Sequence, residues 1–372
     1  MNQTAEPNIL YQEANPYGSL TAYLEDDGRT VYLYLQAEES PDFAIKSVWI
    51  CNRIDAPKTR TDLDLRSGLA PFLTEEEVTD PKGQPEFDPK EIHFIWSEEG
   101  NGVSLFYKEE LIAYLPPWSG IKGFHGYSKF AKMDTITAYP LGNTEYGVIP
   151  DRINQDRNFW EYRSTKGVWK NIQESRLAYL EYVFGKHDKY WSADGGKYPQ
   201  LGIVRFAPKN MPGVYVYSTV GMSAQNLPSV ELYRKDYENY ARIELVCAVK
   251  VSDEDRSESW VPHQIGEIIR YPWVIGKWFG HGHSVAMSRR DPEALYLSFS
   301  SLVIREIGKE EGFPELADLK SERGNPIKFL AMIPVSEEER VFIEEKGAEE
   351  FFSLLDSTQS KWIHNPERQS TI

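Results

Sequence analysis

Cysteine is scarce in this sequence. Cys51 and Cys247 are the only two in 372 residues, too few for a disulfide framework. Both sit in apolar, strand-like runs, where a free cysteine behaves as a small buried hydrophobe, and that usage suits a reducing compartment. No apolar run approaches the roughly 20 residues that a membrane-spanning helix needs. The opening residues, M-N-Q-T-A-E-P-N, carry neither the basic nor the apolar region of a secretory signal. These features lead to the expectation of a cytoplasmic protein with no membrane partner. Cations are short as well: 41 Lys and Arg stand against 57 Asp and Glu, a formal net charge of −16. Such a chain is a poor match for nucleic acid, whose phosphates are met by Lys and Arg. An acidic surface suits a basic protein partner instead.

Signatures of chemistry are thin too. Gly120–Gly126 (G-I-K-G-F-H-G) lacks the G-K-[ST] ending of a phosphate-binding loop and the strand–loop–helix setting of a dinucleotide fingerprint. Gly282–Ala286 (G-H-S-V-A) imitates a nucleophile elbow, but that turn needs a strand before it and a helix after it. Here Gly276–Gly280 and Ser288–Pro292 read as loop. A hydrolase using Ser284 is therefore the alternative reading, not the first. His281 and His283 could reach one metal from an extended segment, yet no third ligand stands near them. The expectation is a protein with no catalytic residue, no cofactor and no metal. Of the carboxylate runs, Glu337–Glu339 reads as a complement to a helix N-terminus. Asp253, Glu254 and Asp255 lie in an exposed charged loop, S-D-E-D-R-S-E-S, and are candidates for contact with a partner.

Aromatics, by contrast, are abundant, with ten Trp and 22 Tyr, which marks a folded chain. The length allows two domains. Residues 1–16 read as a loose arm. Leu20–Leu24 and Val31–Leu35 flank Asp26-Asp27-Gly28, a hairpin signal, and Val48–Cys51 is a third strand. Ile92–Trp96, Val103–Tyr107 and Leu111–Leu115 form a meander. From Asp151 the period becomes helical, with Ile153 and Trp160 on one face, until Gly167 interrupts it. A second helix runs from Gln173 to Phe184 and stops at Gly185. Strands and helices then alternate: Gly202–Phe206, Val214–Val220, Arg242–Val251, a helix over Trp260–Arg270, then strands at Leu295–Ile304 and Ile327–Ile333. Pro334 closes the last strand, and Ser336 with Glu339 forms a capping box. Gly347 divides the final helix, and residues after Ser357 read as a tail. No repeat or low-complexity tract interrupts this order.

The stretch V-Y-V-Y-S-T-V-G-M-S-A-Q (Val214–Gln225) organises the second half. A strand with valines on one face and tyrosines on the other breaks into small polar residues that let backbone approach backbone. A strand ending in such a loop is a common place for a site. Tyr215, Tyr217, Thr219 and Ser223 are the candidates there, since tyrosine supplies a rigid amphipathic anchor. Packing is the competing role.

Several pieces in order resemble the suppressor-of-fused family. They are the F-G helix end (Phe184-Gly185), S-T-V-G-M-S (Ser218–Ser223), the E-L-V strand (Glu244–Val246), F-L-A-M-I-P-V-S-E-E-E-R (Phe329–Arg340) and K-G-A-E-E-F (Lys346–Phe351). The resemblance spans about Gln173 to Asp356. The first 150 residues depart from the minimal family domain. Through W-I-C-N-R (Trp49–Arg53) and W-S-E-E-G (Trp96–Gly100) they are similar to an extra N-terminal region of longer bacterial members. The resemblance implies protein binding rather than catalysis: eukaryotic relatives hold a transcription factor, and bacterial ones look like immunity proteins that neutralise a cognate toxin. A regulatory scaffold for an endogenous protein is a further alternative. The expected fold is α+β. A β-meander-rich domain over 1–150 and a helical connection over 151–172 precede a suppressor-of-fused-like mixed sheet with flanking helices over 173–358 and a tail over 359–372. The expected partner is a protein, with a basic toxin as the specific case.

Overall fold

A computed structural model of the chain describes residues 7–37, 43–60, 66–251, 260–287, 299–309, 313, 319–358 and 361–372. The chain divides into two compact units. One comprises Met1–Thr165 with Trp273–Gly276; the other comprises Lys166–Pro272 with Lys277–Ile372.

The first unit is built on two sheets. Strands β1 (Asn8–Ala14), β2 (Leu20–Asp26), β3 (Thr30–Ala37) and β4 (Lys46–Asn52) form an antiparallel sheet in sequence order. Along β2, Leu20, Ala22 and Leu24 are buried while Thr21, Tyr23 and Glu25 are half-exposed, the period of a one-sided strand. The Asp26–Gly28 turn closes on its own side chains: Gly28 N–H donates to Asp26 Oδ1 at 2.8 Å, and Arg29 N–H to Asp27 Oδ1 at 2.8 Å. Residues 8–14 are therefore a paired strand, not part of a loose arm, with Tyr11 opposite Leu24 and Ala14 opposite Thr21. The second sheet is the expected meander, β5 (Ile92–Trp96), β6 (Val103–Tyr107) and β7 (Glu110–Leu115), extended by the two-residue strands β8 (Tyr127–Ser128) and β9 (Tyr139–Pro140). One core joins the two sheets, with Leu33, Val48 and Ile50 packed in the same cluster as Val103, Leu105 and Leu115. Helix α1 (Val148–Ser164) sets Ile153 against Phe106, Leu111 and Tyr114.

The second unit is a mixed sheet with flanking helices, so the molecule is α+β. Its strands are β10 (Lys189–Ser192), β11 (Gly202–Phe206), β12 (Val214–Val220), β13 (Ile243–Lys250), β14 (Ser284–Ala286), β15 (Ser301–Glu306), β16 (Lys328–Val335) and β17 (Ile363–His364). Their order is β10-β11-β12-β13-β16-β15-β14, with β17 pairing β13. β13 runs parallel to β16 and to β17; the other pairs are antiparallel. β13 is buried along all but its last residue, which is why I-E-L-V-C-A-V reads as a near-continuous apolar run. Burial pushes the Cys247 thiol up to about 12, so it is a packing residue.

Helix α2 (Val168–Phe184) begins directly after Gly167, which is its N-cap, five residues earlier than the sequence suggests. It inserts Leu180 and Phe184 into a core with Phe206, Val216 and Val246. Helix α3 (Trp260–Ile268) lies against β11 and β12. Helix α4 (Glu337–Lys346) has the expected capping box: Glu339 N–H donates to Ser336 Oγ at 3.2 Å, and Ser336 N–H to Glu339 Oε2 at 2.9 Å. Helix α5 (Ala348–Thr358) follows Gly347 and packs Phe351, Phe352 and Leu355 into the same core as α2.

Two readings of the C-terminal region need correction. Pro334 does not end its strand; it pairs with Leu302, and β16 continues to Val335. A proline fits there because its nitrogen faces the β13 side, where the ladder to β13 has ended at Ala331 and no N–H is asked of it; its carbonyl accepts from Arg368 at 2.7 Å. The residues after Ser357 are not a loose tail either. Trp362 joins the core, β17 pairs with β13 at Ala248 and Val249, and Arg368 reaches the fully buried Glu339. The strand expected at Leu295–Ile304 begins at Ser301, and residues 295–298 lie outside the described residues.

Candidate binding site in the mixed sheet

The segment Val214–Gln225 is held from inside by one carboxylate. Glu244 projects from β13 and accepts from Thr219 Oγ1 at 2.6 Å, Gly221 N–H at 3.0 Å, Ser223 N–H at 3.1 Å and Ser223 Oγ at 2.6 Å. Thr219 Oγ1 in turn accepts from Leu245 N–H at 2.8 Å, and Ser223 Oγ accepts from Arg176 Nε at 3.0 Å. Arg242 donates to the Ser223 carbonyl at 3.2 Å. All of these side chains are buried. A charge at this depth persists only when its hydrogen bonds are satisfied, and here four donors meet the carboxylate while two guanidiniums bind the adjoining Ser223. Gly221 allows the approach: at φ +109°, a Cβ would lie 2.6 Å from the Gln200 carbonyl oxygen and 2.7 Å from the Trp169 ring.

This arrangement places the sequence candidates. Tyr217, Thr219 and Ser223 are buried, so they serve the internal framework and offer no side-chain surface to a partner. Tyr215 is half-buried under the Arg205 guanidinium, 4.1 Å from the ring centroid. Arg205 also makes a two-point pair with Asp188 at 3.0 and 2.8 Å, and those bonds hold the Asp188 carboxyl below the usual carboxylate range. Of the tyrosine and loop candidates, only Tyr215 keeps an accessible ring. Asp253, Glu254 and Asp255 lie outside the described residues.

A second feature has no counterpart among those candidates. An open groove of about 670 Å³ runs past the starts of β13 and β16 and the end of β15. Tyr240 lines it, with Arg234 at 4.0 Å and Lys328 at 4.3 Å from its ring centroid. Lys328 also pairs with Glu306. Trp278 lines it as well, stacked on Tyr233 at 6.1 Å and meeting His283 edge-on at 4.8 Å. Gly280 lets that indole lie on the backbone, since a Cβ would come within 2.4 Å of the ring.

His281 borders the groove with both ring nitrogens engaged. Nδ1 accepts from Glu306 N–H at 3.0 Å, which leaves the proton on Nε2, and Nε2 donates to Glu349 at 2.8 Å. His283 Nδ1 faces the Trp278 carbonyl at 3.2 Å, and burial lowers its pKa. The two histidines thus make separate contacts. Ser284 stands in β14 opposite Val303, on a strand rather than at a strand-to-helix turn, so the elbow geometry is not there. Arg234 and Tyr240 share one short stretch, but Trp278, Lys328 and Glu349 come from three others, and sequence spacing could not have united them. The one local signal was W-F-G-H (Trp278–His281), an aromatic pair beside a histidine.

Comparison with known proteins finds a similarity in this unit. Residues 197–369 match the family described as Suppressor of fused protein (SUFU). Among solved structures, a SUFU homolog from Neisseria gonorrhoeae is 16% identical, covers 55% of this chain and 98% of its own, and gives a TM-score of 0.37. The Sufu–Fu complex is 14% identical over 54% of this chain and 92% of its own, with a TM-score of 0.40. Suppressor of Fused from Drosophila is 12% identical over 53% of this chain and 50% of its own, with a TM-score of 0.38. No curated protein matches the chain.

Proposed function

We propose, from the match of residues 197–369 to the suppressor of fused family, that this chain is a protein-binding module that makes and breaks no covalent bond. The observation that carries the reading is the groove: two half-exposed aromatic rings, Tyr240 and Trp278, face an open volume of about 670 Å³ and are flanked by charge. Rigid aromatic anchors beside charged groups are the residues that dominate polypeptide recognition. The family is a protein-interaction family in eukaryotes, and the Sufu–Fu complex is an example of a partnered relative. Among the described residues β14 is the last strand of its sheet. A last strand of this kind suits addition of an extended segment. The helices among the described residues include none long and apolar enough to cross a membrane.

The specific role we propose is that of an immunity protein for a cognate toxin. The net charge of −16 supports it, because an acidic surface speeds encounter with a basic toxin and can mask its site. Co-expression with the product of the neighbouring reading frame tests this. A stable complex that protects cells from that product is expected. If that product forms no complex and native cells yield an endogenous protein instead, the regulatory-scaffold reading replaces the toxin. For the non-enzymatic part, ester hydrolysis is compared in wild type and Ser284→Ala. Equal background rates are expected; activity lost in the variant would establish a hydrolase.

A further inference from the structure

The groove has the opposite sign to the chain around it. Over the whole sequence, acids outnumber Lys and Arg 57 to 41. Among the described residues that line the groove the balance reverses: Arg234, Lys309 and Lys328 stand against Glu306 and Glu349, three to two. Its volume of about 670 Å³ falls within the roughly 300–1,000 Å³ typical of ligand sites. From this reversal we infer that the groove is the docking site for an acidic segment of a partner polypeptide, one that pairs carboxylates with an apolar side chain.

Three features specify that occupant. The cations are fixed in place: Arg234 and Lys328 are both drawn over the Tyr240 ring, at 4.0 and 4.3 Å. A cation already ordered on an aromatic face loses less freedom when an anion arrives. The groove also carries carboxylates of its own in the positions where a ligand's would sit. Glu306 lies on Lys328, and Glu349 accepts from His281 Nε2 at 2.8 Å. The Glu349 side chain is 85% exposed, so this contact is readily exchanged with an incoming carboxylate. Finally, the groove has an apolar part, lined by Phe279, Ile307 and Leu330 together with Trp278. That surface gives an apolar side chain a place between the charges.

The inference rests on the reading of the chain as a protein-binding module and does not require a toxin. Its test uses the full chain and a fluorescein-labelled decapeptide, Asp-Leu-Asp-Trp-Asp-Leu-Asp-Leu-Asp-Gly, with fluorescence anisotropy as the readout. A counterpart with Lys at every Asp position and an unstructured oligo-dT of matched length are the two controls. The acidic peptide should bind at least about tenfold tighter than either control, and its affinity should fall as salt rises. Arg234→Glu with Lys328→Glu should weaken it at least about tenfold, while Lys186→Glu, an exposed change on the helix-to-strand turn after α2, should leave it unchanged. If the double variant fails to fold, Arg234→Ala at its exposed position carries the test, with a loss of about threefold or more expected. Equal binding of both peptides, equal or tighter binding of oligo-dT, indifference to the groove variants, or no binding of the acidic peptide at millimolar concentration each overturns the inference. A protein partner that still binds the groove variants at full affinity would overturn the groove as the site and leave the protein-binding reading standing. Failure of that wider reading would appear instead as the lack of any stoichiometric partner for wild type.

Discussion

Glu244 does for the second unit what no single apolar residue does: it ties two strands, a loop and a helix to one buried charge. Four donors from Thr219, Gly221 and Ser223 converge on it, and Arg176 and Arg242 approach the same loop. Removing one partner of such a buried set leaves the others uncompensated and costs about 3–5 kcal/mol. Glu244→Ala is therefore expected to lower the unfolding free energy, measured by urea titration, by that much. Ser223→Ala, which takes away one acceptor and one donor, should cost about 1–2 kcal/mol. A loss below about 1 kcal/mol for Glu244→Ala would show that the network is solvated. His364 makes a second prediction. It is buried between Trp260 and Phe299. Burial, and then the Arg368 charge, lower its pKa from 6.5 to about 3. The unfolded chain takes up a proton below pH 6.5 that the folded chain refuses, so this stability is whole above pH 6.5 and is lost as pH falls toward 3. Between pH 6.5 and 5 the loss should be on the order of 1–2 kcal/mol. His364→Phe should flatten the change in thermal midpoint across that window; an unchanged slope would assign the acid sensitivity elsewhere. The sequence located the Ser/Thr/Gly loop and left it two roles, partner contact and packing. Its true neighbour, Glu244, is 21 residues beyond Ser223, and a lone acid in an apolar strand has no local pattern that reveals what it meets.

Among the elements, the C-terminal strap is the least readable and the most consequential. In K-W-I-H-N-P-E-R only scattered residues turn inward, so no period of 2 or 3.6 emerges. Yet Trp362 meets Phe313 edge-on at 4.9 Å, and β17 takes up the part of β13 that β16 leaves unpaired. Arg368 then pairs with Glu339, and Thr371 N–H donates to the same carboxylate at 3.0 Å. Burial alone would raise the Glu339 pKa. The hydrogen bonds from Arg368, Thr371 and Ser336 outweigh it and hold the carboxyl low. Arg368→Met should therefore cost about 3–5 kcal/mol by stranding a buried anion. The double change Arg368→Met with Glu339→Met should recover much of that loss. Urea unfolding of the three variants checks it, and additive losses would mean that the pair does not act as a unit. The capping box of α4 was fully legible because its two partners lie three residues apart. The β1 strand was not, because only Leu10 of its residues is buried, and edge pairing leaves little apolar signal.

At the scale of the molecule, the division into a β-rich part and a mixed sheet with helices could be read from the change of period near residue 150. The groove could not, because its walls converge only in three dimensions. Charge acts here at two ranges. The overall excess of 16 negative charges governs approach, and the locally reversed groove governs docking. If a basic partner is steered, its association rate should fall steeply between low and physiological salt. Stopped-flow mixing at several salt concentrations measures this, and a flat response would remove long-range steering from the account. The most direct measurement is quantitative capture from native cells by tagged wild type and by the Arg234→Glu, Lys328→Glu variant. A stoichiometric polypeptide retained by the first and lost from the second is the predicted result. Capture of no stoichiometric polypeptide by wild type, or equal capture by both, would contradict it.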